Sequence, residues 1–196
     1  DRSVSRGLGD VYKRQELKKD KTFLLNLMSS PGAGKTTTLT KTIDAMKHDF
    51  RIGVMEADID SAVDADMTRQ GLLELDTSDV DLAILENVGN LVCPAEFDTG
   101  AVKNAMILSV PEGDDKPLKY PLMFQVCQCL LINKIDVLPY FDFDLEECKK
   151  RVLKLNPDMK IIPISARTGE GMDEWIDWLK EETSSWNESN EKGVKE

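Results

Sequence analysis

The 196-residue sequence predicts an α/β fold with a mostly parallel sheet and helices on both of its faces. Apolar, strand-like runs alternate with segments of helical periodicity along the chain, which is typical of parallel sheets. The first run, residues 23–28, leads through a turn of small residues into a helical segment at 38–47. Several later runs end in polar or acidic residues, where a parallel sheet presents its ligand-binding edge.

Composition limits the classes of function. The net charge of −11 argues against non-specific binding to nucleic acid or to anionic membranes, since both need a basic surface. No apolar run reaches membrane-spanning length and no secretory signal is evident, so we expect a cytoplasmic protein. Polar residues 1–21 and 183–196 are expected to be tails around one domain at 22–182.

The turn after the first strand has the composition of a phosphate-binding P-loop. Residues 29–37 read SSPGAGKTT, with Ser29 at the position where glycine is usual. Backbone N–H groups of the small residues and the helix N-terminus suit phosphate oxygens, while Lys35 adds a full positive charge and Thr36 a hydroxyl for Mg²⁺. The predicted phosphate contacts are Pro31, Gly32, Ala33, Gly34, Lys35, Thr36 and Thr37.

Two carboxylates follow the next strands. A second strand at 50–57 runs into an acidic loop that begins with Asp58, and a third at 81–85 ends in Glu86, with a short helical pattern at 67–75 between them. An apolar strand ending in a carboxylate is the Walker B pattern, in which the acid faces Mg²⁺. We therefore predict catalytic roles for Lys35, Asp58 and Glu86, and Mg²⁺ contacts for Thr36, Asp58 and Glu86, although a solvated acidic turn would also explain Asp58.

The fifth strand ends in a guanine-recognition pattern. A fourth strand is predicted at 105–110, a short helix at 120–126, and the fifth strand at 127–132, which runs into Asn133, Lys134, Ile135 and Asp136. The Asp136 carboxylate can accept from both ring and exocyclic N–H groups of guanine, a donor pair that adenine lacks. We expect Asn133 to brace the loop and the stem of Lys134 to pack on the base.

The remaining elements complete the predicted sheet. A helix is expected at 143–156, a sixth strand at 160–164 and a final helix at 172–182. Ser165, Ala166 and Arg167 follow the sixth strand, where backbone N–H groups can reach the guanine base. Of four cysteines, Cys93 lies in a loop and is a candidate soft-metal ligand, whereas Cys127, Cys129 and Cys148 lie in apolar patterns.

Four motifs together resemble the HypB family of GTPases, which assist nickel insertion into [NiFe] hydrogenase. They are SSPGAGKTT at 29–37, ENVGNLVCPA at 86–95, EGDDKPLKYP at 112–121 and NKID at 133–136. The resemblance implies GTP and Mg²⁺ as cofactors, a GTP-dependent homodimer, and hydrogenase maturation proteins and the hydrogenase large subunit as partners. It also implies a nickel or zinc site that includes Cys93 and a Cys-His pair.

The sequence departs from that family at the metal pair. The Cys-His pair would precede residues 64–67, yet the acidic loop runs directly into them, and the one histidine, His48, comes too early to replace it. We expect a strand of the sheet to be absent with the same segment, which exposes a sheet edge. Alternatives are therefore a truncated GTP-binding module with weak hydrolysis and impaired metal binding, a GTPase serving another nickel or a cobalamin enzyme, and a P-loop kinase.

Overall fold

Within the described residues, six parallel strands form a single sheet in the order β2-β3-β1-β4-β5-β6. A computed structural model describes residues 14–58, 77–88 and 99–189, with backbone only for 57, 58 and 88. The strands are β1 Phe23–Ser29, β2 Ile52–Asp58, β3 Leu82–Val88, β4 Lys103–Ser109, β5 Cys129–Asn133 and β6 Lys160–Pro163. Because β1 lies between β3 and β4, the loop that follows it opens at the centre of the carboxyl edge of the sheet.

Helices cover both faces of the sheet, which confirms the predicted fold class. They are α1 at residues 14–20, α2 Lys35–Met46, α3 Lys116–Lys119, α4 Pro121–Val126, α5 Leu145–Leu155 and α6 Met172–Ser189, with short 3₁₀ helices at Val110–Glu112 and Ile135–Tyr140. Leu25 of β1 is buried in a core with α2 and α6, while Met28 joins a second core with α4 and α5. None of the helices within the described ranges has the length and apolarity to cross a membrane.

Helix α2 begins at Lys35, three residues earlier than expected. Gly34 precedes it in the left-handed region, with φ of 92°. The helix is rich in threonine, a weak helix former. The hydroxyls of Thr38, Thr40 and Thr42 each donate to the carbonyl four residues back, at 2.8–2.9 Å, so they are satisfied within the helix.

The folded unit extends beyond the tails expected at both ends. Residues 14–20 are helical, and Leu17 is fully buried against Leu24 and Leu85. Helix α6 continues to Ser189, and the indole of Trp186 donates to the carbonyl of Thr22 at 2.9 Å. Residues 14–21 and 183–189, which the sequence assigns to the polar tails, are therefore part of the folded domain. These segments are ordered by distant contacts that local composition does not reveal.

Replacing Leu17 by alanine tests whether α1 belongs to the domain. We expect Leu17→Ala to lower the free energy of unfolding by about 2–4 kcal/mol, because it leaves a cavity beside Leu24. Leu118→Ala is the matched control, since 65% of Leu118 is exposed. Urea denaturation measures both; equal stabilities of the two variants would contradict the packing described for α1.

Strand β2 forms one edge of the described sheet, and within the described residues no strand lies beyond it. It is attached to the domain through β3, with seven residues in parallel register from Ile52 and Leu82 to Asp58 and Val88. The short helix predicted at 67–75 lies outside the described residues.

Candidate nucleotide-binding site

The phosphate loop is shaped by two glycines with positive φ, 74° at Gly32 and 92° at Gly34. A Cβ atom on Gly34 would lie 2.4 Å from Nδ2 of Asn133, so a side chain there would displace the asparagine. Glycine is needed at this position both for its backbone conformation and for the close approach of the second loop. The N-terminus of α2 follows immediately, and the positive end of a helix dipole favours an anion at this loop.

Lys35 reaches from the start of α2 to the end of β3. Its ammonium donates a hydrogen bond to the backbone carbonyl of Asn87 and lies 3.7 Å from Oε1 of Glu86. The side chains of Lys35 and Glu86 are only 11% and 15% exposed, so their charges are weakly screened by solvent. The structure thus brings together the predicted phosphate-binding lysine and the predicted Walker B acid.

Asn133, at the end of β5, joins three loops of the site. Its Nδ2 donates to the carbonyl of Ala33 at 2.8 Å, and its Oδ1 accepts from the backbone N–H groups of Lys134 at 2.8 Å and Ala166 at 3.0 Å. Asn133 is buried, and these bonds use both ends of its amide. It therefore fixes the predicted guanine-binding segments against the phosphate loop, which is the bracing role expected of it.

Lys134 adopts the left-handed conformation, with φ of 66°, and turns its side chain across the phosphate loop. Its ammonium donates to the carbonyl of Gly32 at 2.6 Å. This contact lays the aliphatic stem of Lys134 beside the mouth of the cavity, where the sequence predicts that it packs on a base.

Asp136 is held in place by the loop after β6. Its Oδ1 accepts from the hydroxyl of Ser165 at 2.7 Å, and its Oδ2 lies 3.6 Å from the largely exposed guanidinium of Arg167. Ser165 is buried, and its Oγ also accepts from the backbone N–H of Thr168 at 3.1 Å. The carboxylate is therefore oriented before any ligand binds.

A cavity of about 490 Å³ lies between the phosphate loop and the ends of β2, β3 and β5. This volume lies within the usual range for small-molecule sites. The cavity is lined by residues of all four segments, namely Ser29, Ser30, Pro31, Gly32, Gly34, Lys35, Thr36, Thr37, Glu56, Glu86 and Lys134. Asp136, Ser165, Ala166 and Arg167 are not among these lining residues. Asn133 connects them to the phosphate loop, because it bonds both Ala33 and Ala166, while Ser165 and Arg167 contact Asp136.

Glu56 was not among the predicted site residues. It lines the cavity and stands directly opposite Glu86 in the paired register of β2 and β3. Two like charges in this position repel each other unless a cation lies near them, and Lys35 lies beside Glu86. The signal for Glu56 in the sequence is an acidic residue within a mainly apolar strand. Its position opposite Glu86 depends on the register of β2 and β3, which the sequence does not reveal.

The predicted soft-metal site cannot be placed. Cys93 and the side chain of Asp58 lie outside the described residues. Within 14–58, 77–88 and 99–189, no group of three or more His, Cys, Asp or Glu side chains is arranged to hold a metal ion. His48 is exposed just beyond the end of α2.

The other three cysteines are buried thiols in the core. Burial raises the pKa of Cys127 and Cys129 far above the ordinary range, and raises the pKa of Cys148 to about 12. Unfolded thiols ionise near pH 8.5, so the unfolded state loses these protons first and stability falls as pH rises above that value. Thiolate is the metal-binding form of cysteine, which makes these three unsuitable as ligands at neutral pH.

Thiol labelling tests this assignment. In a Cys93→Ser variant we expect no thiol to react with Ellman's reagent in the native protein at pH 8, and three to react after denaturation. The unchanged chain, denatured in the same way, serves as the control for complete labelling. Rapid reaction of the native variant would contradict the burial of these side chains.

Comparison with known proteins identifies the family. Residues 70–163 match the family model described as CobW/HypB/UreG, nucleotide-binding domain. The Hydrogenase/urease maturation factor HypB of Helicobacter pylori strain J99 is 35% identical over 190 residues, covering 83% of this chain and 78% of that protein. The chain belongs to the HypB family. A HypB from Azotobacter chroococcum is 45% identical over 181 residues, and the chain spans 59% of its length.

Solved HypB structures share the fold. The HypB of Archaeoglobus fulgidus superposes with a TM-score of 0.82 at 32% identity, covering 92% of this chain and 99% of that one. The HypB of Helicobacter pylori in complex with nickel gives a TM-score of 0.79 at 32% identity, covering 92% and 96%. Because the chain spans only about three fifths of the Azotobacter HypB, the activity of the longer relatives does not transfer to it directly.

Proposed function

We propose that this HypB family member binds GTP, hydrolyses it to GDP and phosphate with Mg²⁺, and uses the reaction to assist nickel insertion into [NiFe] hydrogenase. The observation that carries this proposal is the attachment of the guanine-type loop to the phosphate loop through Asn133. The base-reading carboxylate of Asp136 and the phosphate-reading ammonium of Lys35 thus belong to one connected site.

The chemistry of the site supports a guanine nucleotide. The carboxylate of Asp136 offers hydrogen-bond acceptors, which match the adjacent N–H donors of guanine. Ser165 occupies Oδ1 with one hydrogen bond, leaving further lone pairs of the carboxylate for the base. The loop at Ser165–Arg167 lies alongside, where its backbone can contact the base as the sequence predicts.

Oxygen ligands at the phosphate end suit Mg²⁺. The Thr36 hydroxyl and the Glu86 carboxylate line the same cavity, and Asp58 ends the neighbouring strand β2. We propose these three as the residues that hold the ion, directly or through water. Bound there, Mg²⁺ would neutralise charge on the phosphates, while Lys35 adds a second positive charge and Asp58 orients the attacking water.

The nickel part of the proposal rests on relatives. One related HypB has been solved in complex with nickel, and two from Helicobacter pylori are named as hydrogenase and urease maturation factors. We propose nickel as the cargo, with zinc as a competing metal, Cys93 as a ligand, and hydrogenase maturation proteins and the hydrogenase large subunit as partners in the cytoplasm.

A second candidate is a GTP-binding module with weak hydrolysis and impaired metal binding. The sequence observation that favours it is the single histidine, His48, which leaves no Cys-His pair beside Cys93. Measuring GTP turnover and nickel binding on one sample separates the two candidates. Turnover with stoichiometric nickel that is lost in Cys93→Ala supports the metallochaperone; tight GTP binding without turnover or nickel supports the module.

We also propose a GTP-dependent homodimer. Tyr140 and Phe141 come four and five residues after Asp136 in the chain and are 82% and 45% exposed, so they present apolar surface to solvent. We expect a Tyr140→Ser and Phe141→Ser double variant to remain monomeric with a non-hydrolysable GTP analogue, as measured by light scattering. Leu153→Ser, on α5 and 41% exposed, is the matched control. A dimer in the double variant would exclude this surface as the interface.

A further inference from the structure

Three asparagine side chains cross the centre of the sheet on one face. Asn87 of β3 donates through Nδ2 to Oδ1 of Asn26 at 2.5 Å, and Asn26 of β1 donates through Nδ2 to Oδ1 of Asn104 at 2.9 Å. Asn104 of β4 donates in turn to the carbonyl of Val126 at 3.2 Å. Asn26 and Asn87 are each only 1% exposed, so water cannot replace a lost partner. We call this row the asparagine ladder.

The hydrogen bonds of the asparagine ladder all run in one donor-to-acceptor direction, from Asn87 towards Val126. The carbonyl of Val126 can only accept, which turns the Asn104 amide so that its Oδ1 faces Asn26. Asn26 must then donate to Asn104 and accept from Asn87. At the far end, Oδ1 of Asn87 is buried and has no hydrogen-bond partner among the described residues. The Asn87 side chain is thus tied by its bond to Asn26.

The ladder meets the nucleotide site at Asn87. The paired register of β1 and β3 ends at Leu27 and Glu86, one residue before Asn87. The bond between Asn26 and Asn87 therefore extends the attachment of β3 to β1 just beyond that point. The backbone carbonyl of the same Asn87 accepts the hydrogen bond from the Lys35 ammonium.

We propose that Asn26 is a positioning residue for Lys35, acting through Asn87. By fixing Asn87, it holds the carbonyl that keeps the Lys35 ammonium beside Glu86 when no nucleotide is bound. Binding phosphates requires the ammonium to redirect its donors, so this carbonyl competes with the nucleotide for Lys35. The hydrogen bond between Asn26 and Asn87 sets how strongly this carbonyl competes, and Asn26 thereby tunes the affinity for the nucleotide.

Measuring GDP affinity on ladder variants tests this proposal. We expect Asn26→Leu, which is close in volume, to bind GDP about three- to tenfold more tightly than the unchanged chain, because the competing carbonyl is no longer held. Asn87→Ala removes the same link from the other side and should act in the same direction. Unchanged or weaker binding in Asn87→Ala overturns the proposal, even if Asn26→Leu fails to fold.

Asn104→Leu is the matched control, because it breaks the ladder one step further from Lys35. We expect it to lower the melting temperature while leaving GDP affinity within twofold of the unchanged chain. If it tightens GDP binding as much as Asn26→Leu, general loosening of the sheet is the cause and the positioning role is wrong.

This inference rests on the proposed function only in its use of a guanine nucleotide. Failure of the unchanged chain to bind GDP would refute the proposed function, and the ladder can then still be tested without ligand. In nucleotide-free protein, Lys35→Met should shift the urea midpoint less than half as far in the Asn26→Leu background as in the unchanged chain. Equal shifts in both backgrounds would show that Asn26 and Lys35 are not coupled.

Discussion

Replacing Asp136 by asparagine is expected to lower the affinity for GTP by about 10²- to 10³-fold and to raise the affinity for XTP. In the proposed site the carboxylate accepts from the ring N1–H and the exocyclic amine of guanine, whereas the amide nitrogen of asparagine would meet that amine donor to donor. Xanthine carries a carbonyl in place of the amine, which the asparagine amide can instead donate to. Competition of GTP, XTP and ATP against a fluorescent nucleotide measures the change.

The matched control for this exchange is Asp142→Asn, because Asp142 lies six residues further along the chain and is exposed. It should leave the order of nucleotide affinities unchanged. A preference of Asp136→Asn for GTP over XTP would refute the assignment of Asp136 as the base-reading residue. Stronger binding of ATP than of GTP by the unchanged chain would instead favour the P-loop kinase alternative.

Replacing Lys35 by alanine is expected to lower kcat/KM for GTP by about 10³-fold. Lys35 lines the cavity at the start of α2, and positive charge placed beside the transferring phosphoryl group provides much of the catalysis in this class of reaction. The substitution also leaves Glu86 without its neighbouring ammonium. Release of phosphate from GTP under single-turnover conditions separates the loss of chemistry from the loss of binding.

Lys47→Ala provides the control at the other end of the same helix. Lys47 is exposed and pairs with Asp44 at 2.7 Å, an ion pair that contributes little to stability. Its loss should leave phosphate release within twofold of the unchanged chain. If Lys35→Ala retained more than a tenth of the activity, Lys35 would not be the principal phosphate-binding charge.

The central elements of the fold could be predicted from local pattern. The strand at 23–28, the phosphate loop and the helix after it lie next to one another in the chain, and the structure has them as β1, the loop and α2. The ends of the domain could not be predicted in this way. Trp186 is ordered by a carbonyl 164 positions earlier in the chain, and Leu17 by two separate strands, so neither segment carries a local signal of its packing.

The residues of the site also divide into those that a local motif predicts and those that depend on distant contacts. Lys35, Glu86, Asn133 and Asp136 were predicted because each follows directly from a motif at a strand end, and the structure brings them around one connected site. Glu56 and Asn26 were missed. The significance of each depends on which side chains the neighbouring strands place beside it, and strand register is a property of the assembled sheet rather than of any single segment.

The chain has three tryptophans, and all of them lie in α6. Trp175 is buried, stacks on Trp178 with ring centroids 5.4 Å apart, and donates through its indole N–H to the hydroxyl of Thr42 on α2 at 2.9 Å. Because α2 begins at Lys35, one of these fluorophores is hydrogen-bonded to the helix that carries the phosphate-binding lysine. We therefore expect the intrinsic emission of the protein to respond to changes in α2, so that nucleotide titrations can be followed without a dye.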